Sequence, residues 1–243
     1  MKSRPRQRTG KIIFITGTDT GVGKTVFTAL LLHHLRTSGV HALAMKPFCS
    51  GDRADVRLLR AMQDRELSEH EINPFYFAEP IAPLVAARRH HKSISLAKVL
   101  QRIKRISHRC EILLIEGSGG LLVPLGEDFL VSDLIRRLDS KVIIVSRNRL
   151  GTINHTLLTI NSLQRPSKKS DARRFTGANK VQIALVAGAK SDPSCATNLR
   201  VLSELCAPIP VLGVDFLGKN ASKSEVLEKK YKKVKKTLAM FCG

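Results

Sequence analysis

The sequence predicts an α/β protein: a mostly parallel sheet with helices on both faces, in a three-layer α/β/α arrangement. Three observations carry that reading. Short, continuously apolar runs recur along the chain, they alternate with segments of helical periodicity, and a glycine-rich loop joins the first run to the first helix. Strands that read as unbroken apolar runs are buried on both faces, as in parallel sheets covered by crossover helices.

Taken in order, residues 11–16 (KIIFIT) form a buried strand ending at a Gly/Thr-rich turn. Residues 25–37 (TVFTALLLHHLRT) follow with helical spacing and stop before Gly39, a glycine suited to close a helix. HALAMK at 41–46 is the second strand. Segments 53–63 and 95–108 are helical; in the second, Leu96, Val99, Leu100, Ile103 and Ile106 recur at the intervals of one helix face. EILLIE (111–116), KVIIVS (141–146) and VQIALVA (181–187) are further strands. Helices are predicted over 131–138, 153–164 and 196–206, and a last strand at PVLGV (210–214). In such sheets ligands bind beyond the carboxyl ends of the strands, so functional residues are expected after positions 16, 46, 116, 146 and 187. The 243 residues are read as one domain with a basic tail (1–10), a flexible basic loop (166–179) and a basic C-terminal segment (219–243).

Composition excludes several classes. With 43% hydrophobic and 25% charged residues the chain is globular, not disordered. No apolar run approaches the ~18–20 residues of a membrane span, and no secretory leader is read at the N-terminus. Five scattered cysteines (Cys49, Cys110, Cys195, Cys206, Cys242) without a C-x-x-C pair predict reduced thiols and a cytoplasmic location. The formal net charge of +21 is of the kind nucleic-acid binders carry, but its distribution argues otherwise. Residues 1–11, 88–109, 165–180 and 219–236 hold 27 Lys+Arg and three acids, so the remaining chain carries −3. Only Phe175 and Tyr231 in those blocks offer a stacking ring. No nucleic-acid or membrane partner is expected; the rival reading is an ATPase whose basic blocks bind phosphates with steep salt dependence. The C-terminal segment can form a basic amphipathic helix through Leu227, Tyr231, Val234 and Leu238, read mainly as a solvated charged face.

The chemistry starts at residues 17–25 (GTDTGVGKT), between a strand and a helix. Small residues there let backbone N–H groups turn around phosphate oxygens, and the helix N-terminus adds a positive field. Lys24 can reach the β/γ-phosphates, and the Thr25 hydroxyl can ligate Mg²⁺. The strict phosphate-loop pattern misses by one place, because residue 18 is Thr and the first glycine is Gly17. A phosphate-transferring site also needs a carboxylate near that hydroxyl. Glu116 ends an apolar run and enters Gly117, Ser118, Gly119 and Gly120, where small residues admit a ligand. Asp55 is a second candidate, with a helix N-terminal acid as its alternative. Lys46 ends the second strand before Pro47 and should face the same end of the sheet.

Five segments, GTDTGVGKT (17–25), KPFCSG (46–51), NPFYFAEPIAP (73–83), EGSGGLLVPL (116–125) and LGTINHTLLT (150–159), closely resemble dethiobiotin synthetase. They stand in the family's order over residues 12 to 217, and Asp19 occupies the place where the partitioning and division-site ATPases carry an early lysine. The resemblance implies a P-loop NTPase fold and an ATP-dependent cyclo-ligase: 7,8-diaminononanoate, CO₂ (or bicarbonate) and ATP give dethiobiotin, ADP and phosphate. It implies that Lys24 and Lys46 share the carbamate and γ-phosphate, that Thr25, Asp55 and Glu116 hold Mg²⁺, and that Thr20 and Ser50 bind substrate near the carbamate. The backbone from Gly21 through Val22, Gly23, Lys24 and Thr25 to Val26 would cradle the phosphates, with Gly117, Ser118 and Gly119 beside them. Asp215, Phe216 and Leu217 would contact the base. Family members are homodimers with the active site at the subunit interface, and Leu150, Gly151 and Asn154 match positions supplied by the partner; Thr152 would cap the helix that follows.

Two departures bear on specificity. Gly21 stands where some members carry an acid, and VAGAK at 186–190 has Gly188 where the family has the Asn that reads adenine. His33–His34 and His90–His91 lack i,i+4 metal-ligand spacing, and Cys49 is read as a packed thiol.

Overall fold

The computed structural model describes residues 9–165, 180–216 and 223–242. Most of the basic tail and all of the 166–179 loop lie outside them, as does Leu217. The elements run β1 (Lys11–Gly17), α1 (Lys24–Thr37), β2 (Ala42–Met45), β3 (Phe48–Ser50), α2 (Ala54–Met62), α3 (Glu69–Ile72), β4 (Phe75–Phe77), α4 (Pro83–Arg89) and α5 (Leu96–Ser107). They continue with β5 (Ile112–Glu116), α6 (Val131–Leu138), β6 (Lys141–Asn148), α7 (Thr152–Gln164), β7 (Val181–Ala187), α8 (Cys195–Leu205), β8 (Val211–Val214) and α9 (Ser224–Met240).

Six strands form one parallel sheet in the order β2-β5-β1-β6-β7-β8. The apolar runs that predicted buried strands are its interior: Ile15, Leu113, Leu114, Ile115 and Val142 through Val145 are fully buried. Helices α1, α2 and α9 pack together, while α5 meets α6 and α7 meets α8. A small parallel pair, β3–β4, sits beside the main sheet with Phe48 stacked on Phe75 at 4.9 Å. The strand order reverses at β1, whose two neighbours are β5 and β6, so the loops after β1, β5 and β6 open around one crevice at the strand ends.

Three expectations change. The second strand ends at Met45, leaving Lys46 just beyond it. Gly151 takes the N-cap position of α7, and the Thr152 hydroxyl bonds Ser146 Oγ at 2.7 Å inside the protein, so Thr152 does not cap. The C-terminal segment forms the predicted amphipathic helix with a solvated charged face, but it is not peripheral. Leu227, Tyr231, Val234 and Leu238 are buried in this chain's own core, with Phe241 beyond them, while Lys232, Lys233, Lys235 and Lys236 stay exposed. Among the described residues no helix is long and apolar enough to cross a membrane.

Candidate active site

The phosphate loop is shaped by two glycines. Gly23 lies at φ 106°, a left-handed conformation that a side chain disfavours, and forms the entry to α1. At Gly17 the issue is space: a Cβ would come within 2.8 Å of Val22 and 3.0 Å of Lys24 Nζ. The glycine that seemed one place early therefore closes the loop from the end of β1. Lys24 Nζ donates to the Asp19 carbonyl at 2.7 Å, curling back over the loop it follows. Burial, with Lys46 nearby, lowers its pKa to about 8 against the pull of Glu116.

Lys46, Glu116, Thr25 and Asp55 meet from four separate segments. Lys46 Nζ donates to Glu116 Oε1 at 2.7 Å and to Asp55 Oδ2, and the Thr25 hydroxyl donates to the same Glu116 oxygen at 2.7 Å. The Glu116 side chain is 0% exposed and that of Lys46 9%. Burial alone would lower the Lys46 pKa, but the charges of Glu116 and Asp55 outweigh it and hold the ammonium protonated above the ordinary lysine range. Glu116 Oε2 is buried with no hydrogen-bond partner. Two carboxylates, a hydroxyl and an unsatisfied carboxylate oxygen are the hard oxygen donors Mg²⁺ prefers, so these residues fit that ion.

These groups line a cavity of about 680 Å³ together with Thr20, Gly21, Gly23, Val26, Ser50, Gly117, Ser118 and Gly119. Ser50 Oγ is itself buried and unpartnered. A neighbouring cavity of about 340 Å³ shares Gly21, Gly23 and Val26 and adds Val22, Asp215 and Phe216. Leu150, Gly151 and Asn154 line neither; they are exposed at the start of α7, with Leu150 at 79%. Cys49 is buried, and burial raises its thiol pKa, consistent with a packed thiol.

A family model for the AAA domain matches residues 11–214. The chain is 38% identical to the ATP-dependent dethiobiotin synthetase of Bacillus licheniformis over 223 residues, covering 89% of this chain and 90% of that protein. Identity to the Bacillus subtilis protein of the same name is also 38%, over 88% of this chain and 90% of that one. The chain belongs to the dethiobiotin synthetase family.

As a member of that family it is an ATP-dependent ligase forming carbon–nitrogen bonds. The Aquifex aeolicus MinC:MinD cell division complex shares the fold at TM-score 0.60 and 13% identity, over 96% of both chains. The pNOB8 ParA bound to nonspecific DNA shares it at 0.58 and 14%, over 96% of this chain and 98% of that one.

Two contributions to this candidate site carry no local sequence motif of their own. Asn73 is buried and donates through Nδ2 to the carbonyls of Lys46 (3.0 Å) and Pro47 (3.2 Å), while Lys46 N–H bonds Ile72 O at 2.9 Å. Asn73 thus fixes the backbone that aims Lys46. Pro80, Ile81, Ala82 and Pro83 form an apolar wall of the large cavity. Both lie in the NPFYFAEPIAP segment, whose asparagine and prolines were the available signal.

Proposed function

We propose that the chain closes the ureido ring of dethiobiotin from 7,8-diaminononanoate, CO₂ and ATP. The supporting observation is the convergence of Lys24 and Lys46 with Thr25, Asp55 and Glu116 on one cavity in a chain of this family. One substrate amine adds to CO₂ and loses a proton, giving a carbamate. A carbamate oxygen attacks the γ-phosphorus and ADP leaves, forming a carbamic–phosphoric anhydride. The second amine attacks the anhydride carbon, loses its proton and expels phosphate.

This sequence needs no protein nucleophile; it needs charge and placement. Lys46, held protonated by its carboxylate partners, would pair with the carbamate, and Lys24 with the γ-phosphate. Ser50 and Thr20 would hold the polar end of the diamine, with its alkyl chain against the wall from Pro80 to Pro83. Thr25, Asp55 and Glu116 would hold Mg²⁺, which when bound neutralises charge on the triphosphate. The exposed Leu150, Gly151 and Asn154 suit a homodimer in which each subunit completes its partner's site. Incubation with diaminononanoate, bicarbonate and MgATP should yield dethiobiotin, ADP and phosphate in equal amounts. ATP hydrolysis without dethiobiotin would sink the assignment.

Lys24 gives a pH-linked prediction. Its pKa of about 8 in the free protein means that the cation is largely present a unit below that pH and largely lost a unit above it, whereas a bound triphosphate favours the charged form. Nucleotide affinity should therefore fall above pH 8, with proton uptake on binding near pH 9. Calorimetry in two buffers of different ionisation enthalpy measures that uptake; zero uptake at pH 9 contradicts it.

The smaller cavity would take the base. Gly188 offers it no side chain, and Arg147 Nε lies 3.6 Å from where a Cβ at position 188 would stand. A lost donor–acceptor pair of this kind is worth ~1–3 kcal/mol of base discrimination. Turnover with CTP and GTP should accordingly come within about tenfold of that with ATP, and strict ATP dependence would contradict this.

A further inference from the structure

A third cavity, of about 400 Å³, lies between β4 and the start of α5 and shares no lining residue with the phosphate-loop cavity. Pro74, Phe75, Tyr76, Phe77 and Ile94 give it an apolar wall, of which Phe75, Phe77 and Ile94 are buried. Its polar lining is basic: His70, Lys92, Lys98 and Arg102, with Ser93 and without a carboxylate.

Four acids of the flanking segments are engaged elsewhere, Glu127 with Arg88 among them. Glu69 pairs with Arg53, Glu71 with Arg109 and Ser68, and Glu79 with His90. Helix α5 has no acid in its first turn. Among the described residues, the side chains of Lys92, Lys98 and Arg102 make no hydrogen bond or ion pair, although the Lys98 N–H donates to Ser95 Oγ and the Lys92 N–H to Ala87 O. Lys98 and Arg102 are one helical turn apart, and Lys92 approaches from the chain leading into α5, so three long cations border one space whose lining holds no carboxylate. The N-terminus of a twelve-residue helix adds its positive end on the same side. Converging cations repel one another, and a bound anion relieves that repulsion. Clustered lysine and arginine beside a helix N-terminus suit phosphate oxygens in particular, because each can donate to more than one of them.

We propose that this cavity is a second, anion-binding site, distinct from the nucleotide site, that takes a small organic phosphate. The phosphate sits among Lys92, Lys98 and Arg102, and the organic body rests against Pro74, Tyr76 and Ile94. The volume is that of a small-ligand pocket. Part of the basic excess in residues 88–109 thereby acquires a role that the ligase reaction does not give it. The inference stands apart from the reaction proposed above, since it uses none of those residues.

Phenyl phosphate is the probe, titrated calorimetrically into the full chain, with inorganic phosphate and benzyl alcohol as comparisons. One phenyl phosphate should bind per chain, more tightly than inorganic phosphate, with affinity falling as salt rises. Lys98→Ala with Arg102→Ala should weaken binding tenfold or more, whereas Lys24→Ala, which strips the phosphate loop of its cation, should leave it unchanged. Lys98 is exposed and Arg102 half-buried, outside the apolar core, and matching thermal melts check that the variants fold; Lys92→Ala alone is a milder second variant. Binding lost in Lys24→Ala and kept in the α5 variants would overturn the proposal, as would equal affinity for benzyl alcohol or an absence of saturable binding.

Discussion

Lys46→Ala is expected to lower turnover by ~10²–10³ while leaving the phosphate loop able to bind ATP. Its ammonium is the cation in the cavity tied to both Glu116 and Asp55, and burial makes each of those contacts stronger than it would be in water. Lys24 cannot replace it, because it stands on the loop side of the cavity, bonded to the Asp19 carbonyl, where it would serve the γ-phosphate. The substitution also leaves the Glu116 carboxylate buried, with the Thr25 hydroxyl as its remaining donor. Breaking a fully enclosed pair costs ~3–5 kcal/mol, but here the cavity admits water and Asp55 is 42% exposed, so the loss should be smaller and the fold retained. Steady-state kinetics beside an ATP-binding titration separate the two effects. Near-normal turnover in the purified variant would remove Lys46 from the chemistry; a lost fold would show as an absent cooperative melt, and Lys46→Met then tests the charge with the side-chain bulk kept.

The parts of this site visible in sequence are those fixed by local rules. A strand followed by a small-residue loop and a helix announces the phosphate cradle, and Glu116 and Lys46 show themselves by ending apolar runs. Their mutual contact does not show, because it depends on β2 and β5 lying side by side, with Met45 opposite Ile115. Asn73 was invisible for a related reason: its bonds to Lys46 and Pro47 span 27 and 26 residues. The four-residue helix before it is too short for periodicity, although Ser68 and Glu71 form a capping box at its start. Strands β3 and β4 have three residues each, too few for an alternating pattern to register. Arg147 lines the smaller cavity without any signal in the sequence, since nothing local marks a side chain that reaches Gly188 just beyond β7.

The largest stability effect is expected at the other end of the chain, where charge concealed packing. Counting lysines makes residues 219–236 an appendage; the spacing of Leu227, Tyr231, Val234 and Leu238 makes α9 a core helix, and the structure buries all four. Phe241 meets Phe27 of α1 edge-on at 5.0 Å, and the Tyr231 hydroxyl lies 2.7 Å from His34 Nδ1 on the same helix. Lys141 at the start of β6 donates to the Phe241 carbonyl at 2.9 Å, tying the end of α9 to the sheet. Burying an apolar side chain contributes ~1.5–3 kcal/mol, so five of them approach the ~5–15 kcal/mol that separates a folded domain from its unfolded state. Because α1 begins at Lys24, losing its cover would also loosen the helix that carries the phosphate-loop lysine. A chain ending at Phe216 should therefore show no cooperative urea transition, and Phe241→Ala in the full chain should lose ~3–5 kcal/mol. Changing the exposed Lys232, Lys233, Lys235 and Lys236 to Gln should shift stability by only ~0.5 kcal/mol or less per site. Cooperative unfolding of the truncated chain at the full chain's midpoint, together with an unaffected Phe241→Ala variant, would show that the buried stripe adds little. The opposite result assigns α9's stabilising role to its apolar face, with the lysines borne on the solvent side of a structural helix.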